Sequence, residues 1–426
     1  MRGSVPATGF VRRNALPTLA ETLADTPITV IQGARQVGKS TLAAELVEQR
    51  GGVLVSLDDA VALDAARSDP DGFLDLANGA LLGIDEIQRA PELVRALKAA
   101  VDSDRRPGRF LITGSADLLD VPGVSDSLAG RAETVPLFGF SQGEIAGVVD
   151  DFVGNVIYGG DEWIGSRTSE LEREEYLTIL CAGGYPEALR RHERARERWF
   201  ENYLTRLLRR DAAEVSRLQH IDRLGVLIRL IAANNAGELV QAHLARDAGV
   251  PETSLAPYLK LLESLFLIHR LPSWNASLTK RVIARPKLAL LDSGLCAHLI
   301  GQTPESLSAP SGLKYVGGLL EGFVGAELRK QRTWSSSRFG LHHFRDRDGG
   351  EVDLIIEAAN GDLIAVEVKA AKSVHKGDFR GLERVRDRSG PTFKAGIVLH
   401  VGRRAHSFGD RLWSMPLDAI WGARGG

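Results

Sequence analysis

The chain has 426 residues, a formal net charge of −2, 44% hydrophobic residues and 25% charged residues, which predicts about two or three globular domains rather than one core. The near-neutral charge gives no overall signal for nucleic acid, and the two cysteines, Cys181 and Cys296, lie too far apart to indicate a disulfide framework or zinc site. No apolar run approaches the roughly 18 residues of a membrane span and the first residues lack a signal-peptide core, so we expect a cytoplasmic protein without a membrane partner.

Short apolar segments alternate with helical patterns over the first 140 or so residues. The strand candidates are Ile28–Gln32, Val53–Leu57, Leu81–Ile84, Arg109–Thr113 and Thr134–Phe138. Helical patterns between them include Ala60–Ala77 and Pro91–Val101, the latter with a proline well placed at a helix start. This alternation predicts an α/β domain with a parallel sheet covered by helices.

The loop after the first strand candidate is the most informative motif of the chain. Residues 33–41 fit the phosphate-binding pattern G-x-x-x-x-G-K-S/T at each required position. The apolar run Ile28–Ile31 precedes the loop and a helix predicted over Leu42–Gln49 follows it, which is the context that the motif needs. A glycine-bearing surface turn is the alternative. The pattern predicts a nucleotide site for ATP and Mg²⁺.

Each residue type in this loop has a chemical reason. Gly33 and Gly38 let the backbone curl so that its N–H groups point at a phosphate. Lys39 would place a positive charge on the β- and γ-phosphates, and the Ser40 hydroxyl would bind magnesium. We expect the other loop residues to contact the nucleotide as well, namely Gln36, Val37 and Thr41.

A second motif lies at the end of the third strand candidate. Leu81–Glu86 is an apolar run that ends in two carboxylates, as a buried parallel strand with ligands at its carboxyl end would. Asp85 would hold the magnesium ion, and Glu86 would orient and polarise an attacking water, which predicts hydrolysis. A solvated acidic turn is the alternative.

These motifs resemble the AAA+ class, in particular uncharacterised prokaryotic ATP-binding proteins with a C-terminal domain of unknown function. The resemblance covers nearly the whole chain and is carried by residues 33–41, 55–59, 84–88, 111–116, 127–131 and 183–188. It implies that Ser115 is a polar sensor of the γ-phosphate, although a helix N-cap is equally consistent. It also implies that Arg131 is an arginine finger, acting in a homo-oligomer, and that Pro186 packs on the adenine. A surface salt bridge and a tight turn are the respective alternatives.

The middle of the chain predicts a helical lid followed by a winged-helix-like module. We expect the domains to span residues 1–165 (ATPase core), 166–235 (lid), 236–275 (winged-helix-like) and 276–426. Within the third, Leu239–Ala248 and Glu252–Ser264 read as two helices and Phe266–Leu271 as a strand. The second helix offers few basic groups, with Lys260 the main one, so a structural role is as consistent as DNA reading.

The C-terminal segment contains an acidic and basic pattern on a predicted hairpin. Asp353 lies on one strand, Glu367 and Lys369 on the next, and Asn360-Gly361 is a strong turn between them. Glu321 lies on an upstream helix. Asp353 and Glu367 can share Mg²⁺, or Mn²⁺ instead, while Lys369 faces the same side of its strand as Glu367.

In order and spacing these residues resemble the PD-(D/E)xK nuclease superfamily, which implies an α/β nuclease-like domain. Two functions follow as alternatives. One is an ATPase that couples its nucleotide state to DNA binding or metal-dependent DNA cleavage, with Glu321, Asp353, Glu367 and Lys369 as catalytic residues. The other is a regulatory ATPase switch of the toxin–antitoxin or stress type, whose inactive nuclease-like domain binds partners.

Overall fold

The computed structural model describes residues 11–114, 128–208, 223–346 and 348–422, apart from the side chains of Leu278 and Lys280. These residues contain a five-stranded, a three-stranded and a six-stranded sheet. Within them, no helix is long and apolar enough to cross a membrane. Ser115, predicted as a sensor, lies outside the described residues.

The five-stranded sheet is parallel and has the strand order β2-β3-β4-β1-β5. Its strands are β1 Ile28–Gln32, β2 Val53–Ser56, β3 Leu82–Asp85, β4 Phe110–Gly114 and β5 Ala132–Pro136. The helices in this part of the chain are α1 Leu16–Asp25, α2 Lys39–Gln49, α3 Ala60–Ser68, α4 Pro70–Leu74 and α5 Leu93–Ser103, with a 3₁₀ turn at Ile87–Arg89. The predicted α/β fold with a parallel sheet is confirmed, and each predicted strand overlaps an observed one.

Two predicted helices differ from the observed ones. Helix α2 begins at Lys39 rather than Leu42, because the loop ends at Gly38, which has a φ of 98°, and Lys39 is already helical. The predicted helix Ala60–Ala77 is interrupted at Asp69. The carboxylate of Asp69 accepts a hydrogen bond from the Gly72 backbone N–H at 3.0 Å and so starts α4, while Pro70 cannot donate to extend α3.

A helical region follows the parallel sheet. Its helices are α6 Gln142–Ala146, α7 Phe152–Gly165, α8 Arg173–Ala182, α9 Pro186–Leu189, α10 Glu193–Arg206 and α11 Arg223–Ala233. The next elements are β6 Gly237–Glu238, α12 Gln241–Ala248, α13 Glu252–Ser264, β7 Ile268–Leu271, α14 Leu278–Ile283 and β8 Lys287–Leu290. Strand β8 pairs antiparallel with both β6 and β7, so the predicted boundary at 275/276 falls between paired strands.

The C-terminal part is built on a mixed sheet with the order β13-β14-β12-β11-β10-β9. Its strands are β9 Phe339–Arg345, β10 Glu351–Ala358, β11 Leu363–Lys369, β12 Phe393–His400, β13 His406–Gly409 and β14 Leu412–Pro416. The helices are α15 Ser293–Leu299, α16 Pro304–Ser308, α17 Leu313–Gln331 and α18 Arg380–Ser389, with 3₁₀ turns at Lys376–Phe379, Gly390–Thr392 and Leu417–Trp421. β10 and β11 form the hairpin expected from Asn360-Gly361.

One apolar cluster joins the parallel sheet to the C-terminal sheet through the helices between them. It includes Leu137 after β5, Leu227 on α11, Leu320 on α17 and Val366 on β11. The opposite faces of the two sheets have their own smaller cores. Helix α17 lies within this cluster, and its polar residues contact the segments that follow β5 as well as strand β8.

Candidate nucleotide site and C-terminal carboxylate cluster

The loop between β1 and α2 has the backbone geometry of a phosphate cradle. A Cβ at Gly33 would lie 1.9 Å from the carbonyl oxygen of Leu137, so only glycine fits this close approach. Gly38 and Gln36 both have positive φ, at 98° and 62°, which turns successive backbone N–H groups in the same direction. The loop therefore has the curled form that the sequence pattern requires.

Lys39 and Ser40 are the first two residues of α2, and the side chain of each forms hydrogen bonds within the site. Lys39 is 4% exposed, and its Nζ donates to the carbonyl oxygens of Gly33 at 3.0 Å and Ala34 at 2.9 Å. The Ser40 hydroxyl donates to Asp85 Oδ1 at 2.9 Å. The ammonium and the hydroxyl thus lie at the amino end of the helix, where its dipole favours a bound anion.

Asp85 is the centre of a hydroxyl network at the carboxyl end of β3. Besides Ser40, Thr113 donates to Asp85 Oδ1 at 2.5 Å and Ser56 donates to Oδ2 at 3.4 Å. The Glu86 backbone N–H donates to Thr113 Oγ1 at 3.1 Å, and Gln88 donates to the Glu86 carboxylate. Oxygen ligands of this kind are those that Mg²⁺ prefers, so the Ser40–Asp85 pair fits the ion that the sequence predicts.

Thr113 was missed by the sequence analysis. It is the penultimate residue of β4, next to Asp85 and Glu86. A signal was available, because a hydroxyl at the carboxyl end of a neighbouring parallel strand lies at the same edge of the sheet. Ser115, the residue that the sequence suggested instead, lies outside the described residues.

A pocket of about 410 Å³ opens beside the loop, within the size range of small-molecule sites. The predicted loop residues Gln36, Val37, Gly38, Lys39, Ser40 and Thr41 line it, together with Val11, Arg13, Glu86, Phe140, Pro186 and Glu187. Pro186 is thus brought to the nucleotide pocket from the start of α9. The resemblance to the AAA+ class predicts Pro186 at this position, whereas no sequence motif marks Arg13 or Phe140.

Arg13 connects the loop to the helical region. Its guanidinium donates to the carbonyl oxygens of Val37 at 3.2 Å and Phe138 at 2.6 Å, and it forms an ion pair with Glu144 at 3.1 Å. It also lies 4.8 Å above the ring of Phe140. Burial lowers the pKa of Arg13, while the adjacent Glu144 carboxylate acts in the opposite direction. No sequence motif marked this residue.

Arg131 lies at the other end of the sheet. β5 runs parallel to β1 with Pro136 opposite Gln32, and the phosphate loop follows Gln32. Arg131 directly precedes this five-residue strand, so the length of the strand separates it from the phosphate loop. At about 3.3 Å per residue, that separation is about 16 Å. Its side chain donates to Asp102 at 2.7 Å and 2.9 Å. Within one chain, Arg131 is therefore too distant to contact the nucleotide, which corrects any intrachain role; a role towards a second chain stays a prediction.

The four predicted nuclease-like residues converge on one side of the C-terminal sheet. The register of β10 and β11 pairs Leu354 with Val366, so Asp353 and Glu367 follow at adjacent positions. Asp353 Oδ2 accepts a hydrogen bond from the Val368 N–H at 2.9 Å, and Lys369 Nζ donates to Glu367 Oε1 at 2.8 Å. Glu321 approaches from α17. We call Glu321, Glu351, Asp353 and Glu367 the carboxylate cluster.

Lys287, at the start of β8, extends into this cluster. Its Nζ lies 3.1 Å from a Glu351 oxygen, 3.4 Å from Glu321 and 3.5 Å from Asp353, and its side chain is 5% exposed. Burial lowers the pKa of Lys287, but the negative charges of Asp353, Glu321 and Glu351 outweigh that effect and raise it above its ordinary value. No sequence pattern marks Lys287, because its carboxylate partners lie on distant segments of the chain.

The cluster carboxylates are crowded and partly desolvated. Burial and the Asp353 charge raise the pKa of Glu321 to about 8, with Lys287 acting against them. Burial and Asp353 likewise raise the pKa of Glu367 to about 7, with Lys369 acting against them. Carboxyl groups of this kind hold protons near neutrality because their negative charges repel in a medium of low polarity.

The cluster as arranged does not fit a divalent metal ion. Across the described residues, no three or more His, Cys, Asp or Glu side chains are positioned to hold one. The ammonium of Lys287 instead lies between the carboxylates of Glu321, Glu351 and Asp353. The Mg²⁺ or Mn²⁺ site that the sequence suggested at Asp353 and Glu367 is therefore at odds with the observed geometry.

Three family models match the chain. An AAA domain matches residues 25–146, the domain of unknown function DUF8612 matches residues 173–306, and the domain of unknown function DUF4143 matches residues 316–420. The AAA match covers both motifs of the nucleotide site and supports an AAA-type P-loop domain.

Two curated relatives match most of the chain. These are the uncharacterized proteins Rv2008c of Mycobacterium tuberculosis and Mb2031c of Mycobacterium bovis. Each is 30% identical over 369 residues, which is 84% of this chain and 74% of the relative.

Solved structures show weaker likeness. The Walker-type ATPase PABY2304 of Pyrococcus abyssi is 16% identical and covers 70% of this chain and 98% of its own, with a TM-score of 0.41. The RuvB Holliday junction branch migration motor of Thermotoga maritima is 18% identical and covers 61% and 89%, with a TM-score of 0.28. Both TM-scores are too low to support an argument about function.

Proposed function

The chain belongs to the family of the mycobacterial proteins Rv2008c and Mb2031c, and from that premise we propose that it is a Mg²⁺-dependent ATPase whose nucleotide state controls its C-terminal domain. The observation that carries the ATPase proposal is the hydroxyl network of Asp85, in which Ser40 and Thr113 both donate to one carboxylate oxygen. A buried carboxylate held in this way next to a phosphate loop is suited to position a metal–nucleotide complex.

Different residues of the site bind the phosphates, hold the magnesium ion and activate the attacking water. Lys39 and the loop N–H groups bind the phosphates, and Ser40 with Asp85 holds Mg²⁺, which when bound neutralises the charge of the phosphates. Glu86 orients the attacking water and accepts its proton. Thr113 fixes the Glu86 backbone through the 3.1 Å hydrogen bond and so keeps the base next to the phosphate site. Pro186 covers one side of the pocket.

Nucleotide binding and phosphate release test this proposal directly. We expect the wild type to bind ATP with Mg²⁺ and to hydrolyse it slowly, and Lys39→Ala to abolish binding because the phosphate charge is left uncompensated. Lys98→Ala is a matched control, since this exposed lysine lies on α5 in the same domain. If Lys39→Ala and Lys98→Ala bind ATP equally well, the site assignment is wrong.

Buried polar contacts along α17 support the proposed coupling between the nucleotide site and the C-terminal domain. Glu327 Oε2 accepts a hydrogen bond from the Gln142 N–H at 2.8 Å, and Lys330 Nζ donates to the Phe140 carbonyl oxygen at 2.9 Å. Gln331 Oε1 accepts from the Phe152 N–H at 2.9 Å. Phe140 also lines the nucleotide pocket, so the same residue contacts both that pocket and α17.

A nucleic-acid partner is favoured by a groove next to the nucleotide pocket. The groove has a volume of about 950 Å³ and shares Arg35, Gln36 and Glu187 with that pocket. Arg191, Arg198 and Arg206 also line it, around Trp199 and Tyr203, whose rings stack with centroids 5.0 Å apart. Within the described ranges, Arg198 and Arg206 are exposed and have no ion-pair partner. Arginines beside an aromatic platform suit single-stranded DNA.

Binding of a labelled single-stranded oligonucleotide, followed by fluorescence anisotropy, tests the groove. We expect the double variant Arg198→Glu and Arg206→Glu to weaken binding by about tenfold or more, because two phosphate contacts become repulsive. Arg194→Glu is the control, since Arg194 is exposed on the same helix but does not line the groove. If Arg194→Glu loses half as much binding free energy as the double variant, the effect is only one of net charge and the groove assignment is wrong.

The elements from β6 to β8 are compatible with the winged-helix-like module that the sequence suggests. Helices α12 and α13 are followed by the β7–β8 hairpin. We assign this module a structural role, because its β8 strand contributes Lys287 to the carboxylate cluster. DNA contact is assigned to the arginine groove of α10 instead.

For the C-terminal domain, the geometry favours the regulatory alternative over metal-dependent DNA cleavage. A cleavage site would need an accessible metal position next to Asp353 and Glu367. The Lys287 ammonium lies 3.5 Å from Asp353 within that space. We therefore propose that this domain keeps a nuclease-like fold and serves as a partner-binding domain governed by ATP.

A further inference from the structure

The carboxylate cluster contains a positive charge that comes from a different sheet. Lys287 begins β8, which pairs with β6 and β7, whereas Asp353 and Glu351 lie on β10 of the C-terminal sheet. The ammonium nevertheless lies 3.1–3.5 Å from oxygens of Glu351, Glu321 and Asp353. Three elements of the fold thus meet at one buried cation.

The position of this ammonium is the position that a metal ion would take. Carboxylates that bind Mg²⁺ or Ca²⁺ converge so that their oxygens lie about 2.0–2.6 Å from the ion. Here the point of convergence of Glu321, Glu351 and Asp353 is filled by Nζ, whose three hydrogens can each be donated to one carboxylate. A second cation in the same space would be repelled at short range and would find these oxygens already engaged.

We propose that Lys287 is the resident cation of the carboxylate cluster, so that the wild-type protein binds no divalent metal there and removal of the ammonium creates a metal site. The site so created is formed by Glu321, Glu351 and Asp353, the three carboxylates that the ammonium contacts. It takes a hard divalent cation such as Mn²⁺ or Mg²⁺, because all its ligands are carboxylate oxygens. This inference does not depend on ATP binding.

The second lysine near the cluster differs and provides a control. Lys369 is 35% exposed, and within the described residues its ion pair is with Glu367 at 2.8 Å. It lies at the edge of the cluster rather than at the point where carboxylates from α17 and β10 meet. Its removal should therefore leave Lys287 in place and the cluster closed to metal.

The test is a Mn²⁺ titration followed by electron paramagnetic resonance, without nucleotide, on the full chain. We expect Lys287→Met to gain one bound Mn²⁺ per chain relative to the wild type, and Lys369→Met to gain none. Adding Glu351→Gln to Lys287→Met should remove the gained ion, because Glu351 is one of the three carboxylates that surround the vacated position. A folded Lys287→Met protein that gains no Mn²⁺ would overturn the proposal.

A second comparison keeps the proposal testable if Lys287→Met does not fold, which circular dichroism would reveal. Wild type and Glu367→Gln should bind the same amount of Mn²⁺, because the wild-type cluster binds none. If Glu367→Gln lowers Mn²⁺ binding relative to the wild type, the cluster is already a metal site and the proposal is wrong. Neither outcome depends on whether the phosphate loop binds ATP.

Discussion

Thr113→Val isolates the hydroxyl network that positions the two carboxylates of the nucleotide site. Thr113 is fully buried, and valine has nearly the same shape without the hydroxyl. The change removes the 2.5 Å hydrogen bond to Asp85 Oδ1 and the 3.1 Å hydrogen bond from the Glu86 N–H. Both hydrogen bonds lie within the core of the sheet, where a water molecule cannot readily replace the Thr113 hydroxyl.

The expected size follows from the two hydrogen bonds. A hydrogen bond to a charged carboxylate contributes about 1.5–3 kcal/mol and one from a backbone N–H about 0.5–1.5 kcal/mol, so the free energy of unfolding should fall by about 2–4.5 kcal/mol. Loss of a fixed Glu86 backbone should also lower kcat by about tenfold or more, since about 1.4 kcal/mol is a factor of ten. ATP affinity should change less, because the phosphate loop itself is intact.

Urea unfolding and steady-state phosphate release measure these two effects, and Thr29→Val is the control. Thr29 is also fully buried in the same sheet, on β1, but its hydroxyl has no hydrogen-bond partner among the described residues. Thr29→Val should therefore leave stability unchanged or raise it slightly. If both variants lose the same stability and activity, the Thr113 hydroxyl has no special role and the reasoning fails.

Glu86→Gln should retain ATP yet stall turnover, because a neutral amide cannot polarise the water; full hydrolysis in this variant would remove the assigned role. Arg131→Ala should lower hydrolysis by orders of magnitude with little change in affinity if ATP assembles the chain, and sedimentation with and without ATP shows whether it does. Burial and the charge of Glu327 raise the pKa of Asp150 from 3.8 to about 7. The contribution of the protonated Asp150 carboxyl group to the free energy of unfolding is therefore complete below pH 3.8 and is lost as the pH rises through 7. Asp150→Asn should lack that part of the pH dependence in urea unfolding; an unchanged pH profile would contradict it.

Local patterns predicted the individual strands of the parallel sheet, the phosphate loop and the β10–β11 hairpin. Each of these features depends on residues that are neighbours in sequence. The position of Arg131 could have been judged in the same way. It precedes the strand candidate at Thr134–Phe138, and in a parallel sheet a residue before a strand lies at the edge opposite the ligand groups. This reasoning excludes a role of Arg131 at the nucleotide of its own chain, while the finger towards a second chain that the resemblance implies stays a prediction.

Lys287, Arg13 and Gln331 could not be predicted from local pattern. Each is a buried polar residue whose partners lie on distant segments, and such contacts leave no periodicity. Gln331 is an example: it is fully buried at the end of α17 and donates to Asp150 Oδ2 at 3.2 Å and to the Ile420 carbonyl oxygen at 2.8 Å. Only the tertiary arrangement reveals why a polar side chain belongs there.

Helix α17 gives the proposed coupling a physical route. Glu321 and Glu327 are six positions apart, about 9 Å at about 1.5 Å per residue, and both are held by contacts outside the helix. Under the proposed coupling, we expect a shift at Glu327 that starts at the nucleotide pocket to move Glu321 as well, because one continuous helix connects the two residues. The ion pair of Glu321 with Lys287 is 3.4 Å long, while Glu351 and Asp353 stay on β10. The proposed coupling therefore predicts that the Lys287–Glu321 contact breaks first and that the charge of the carboxylate cluster follows the nucleotide state.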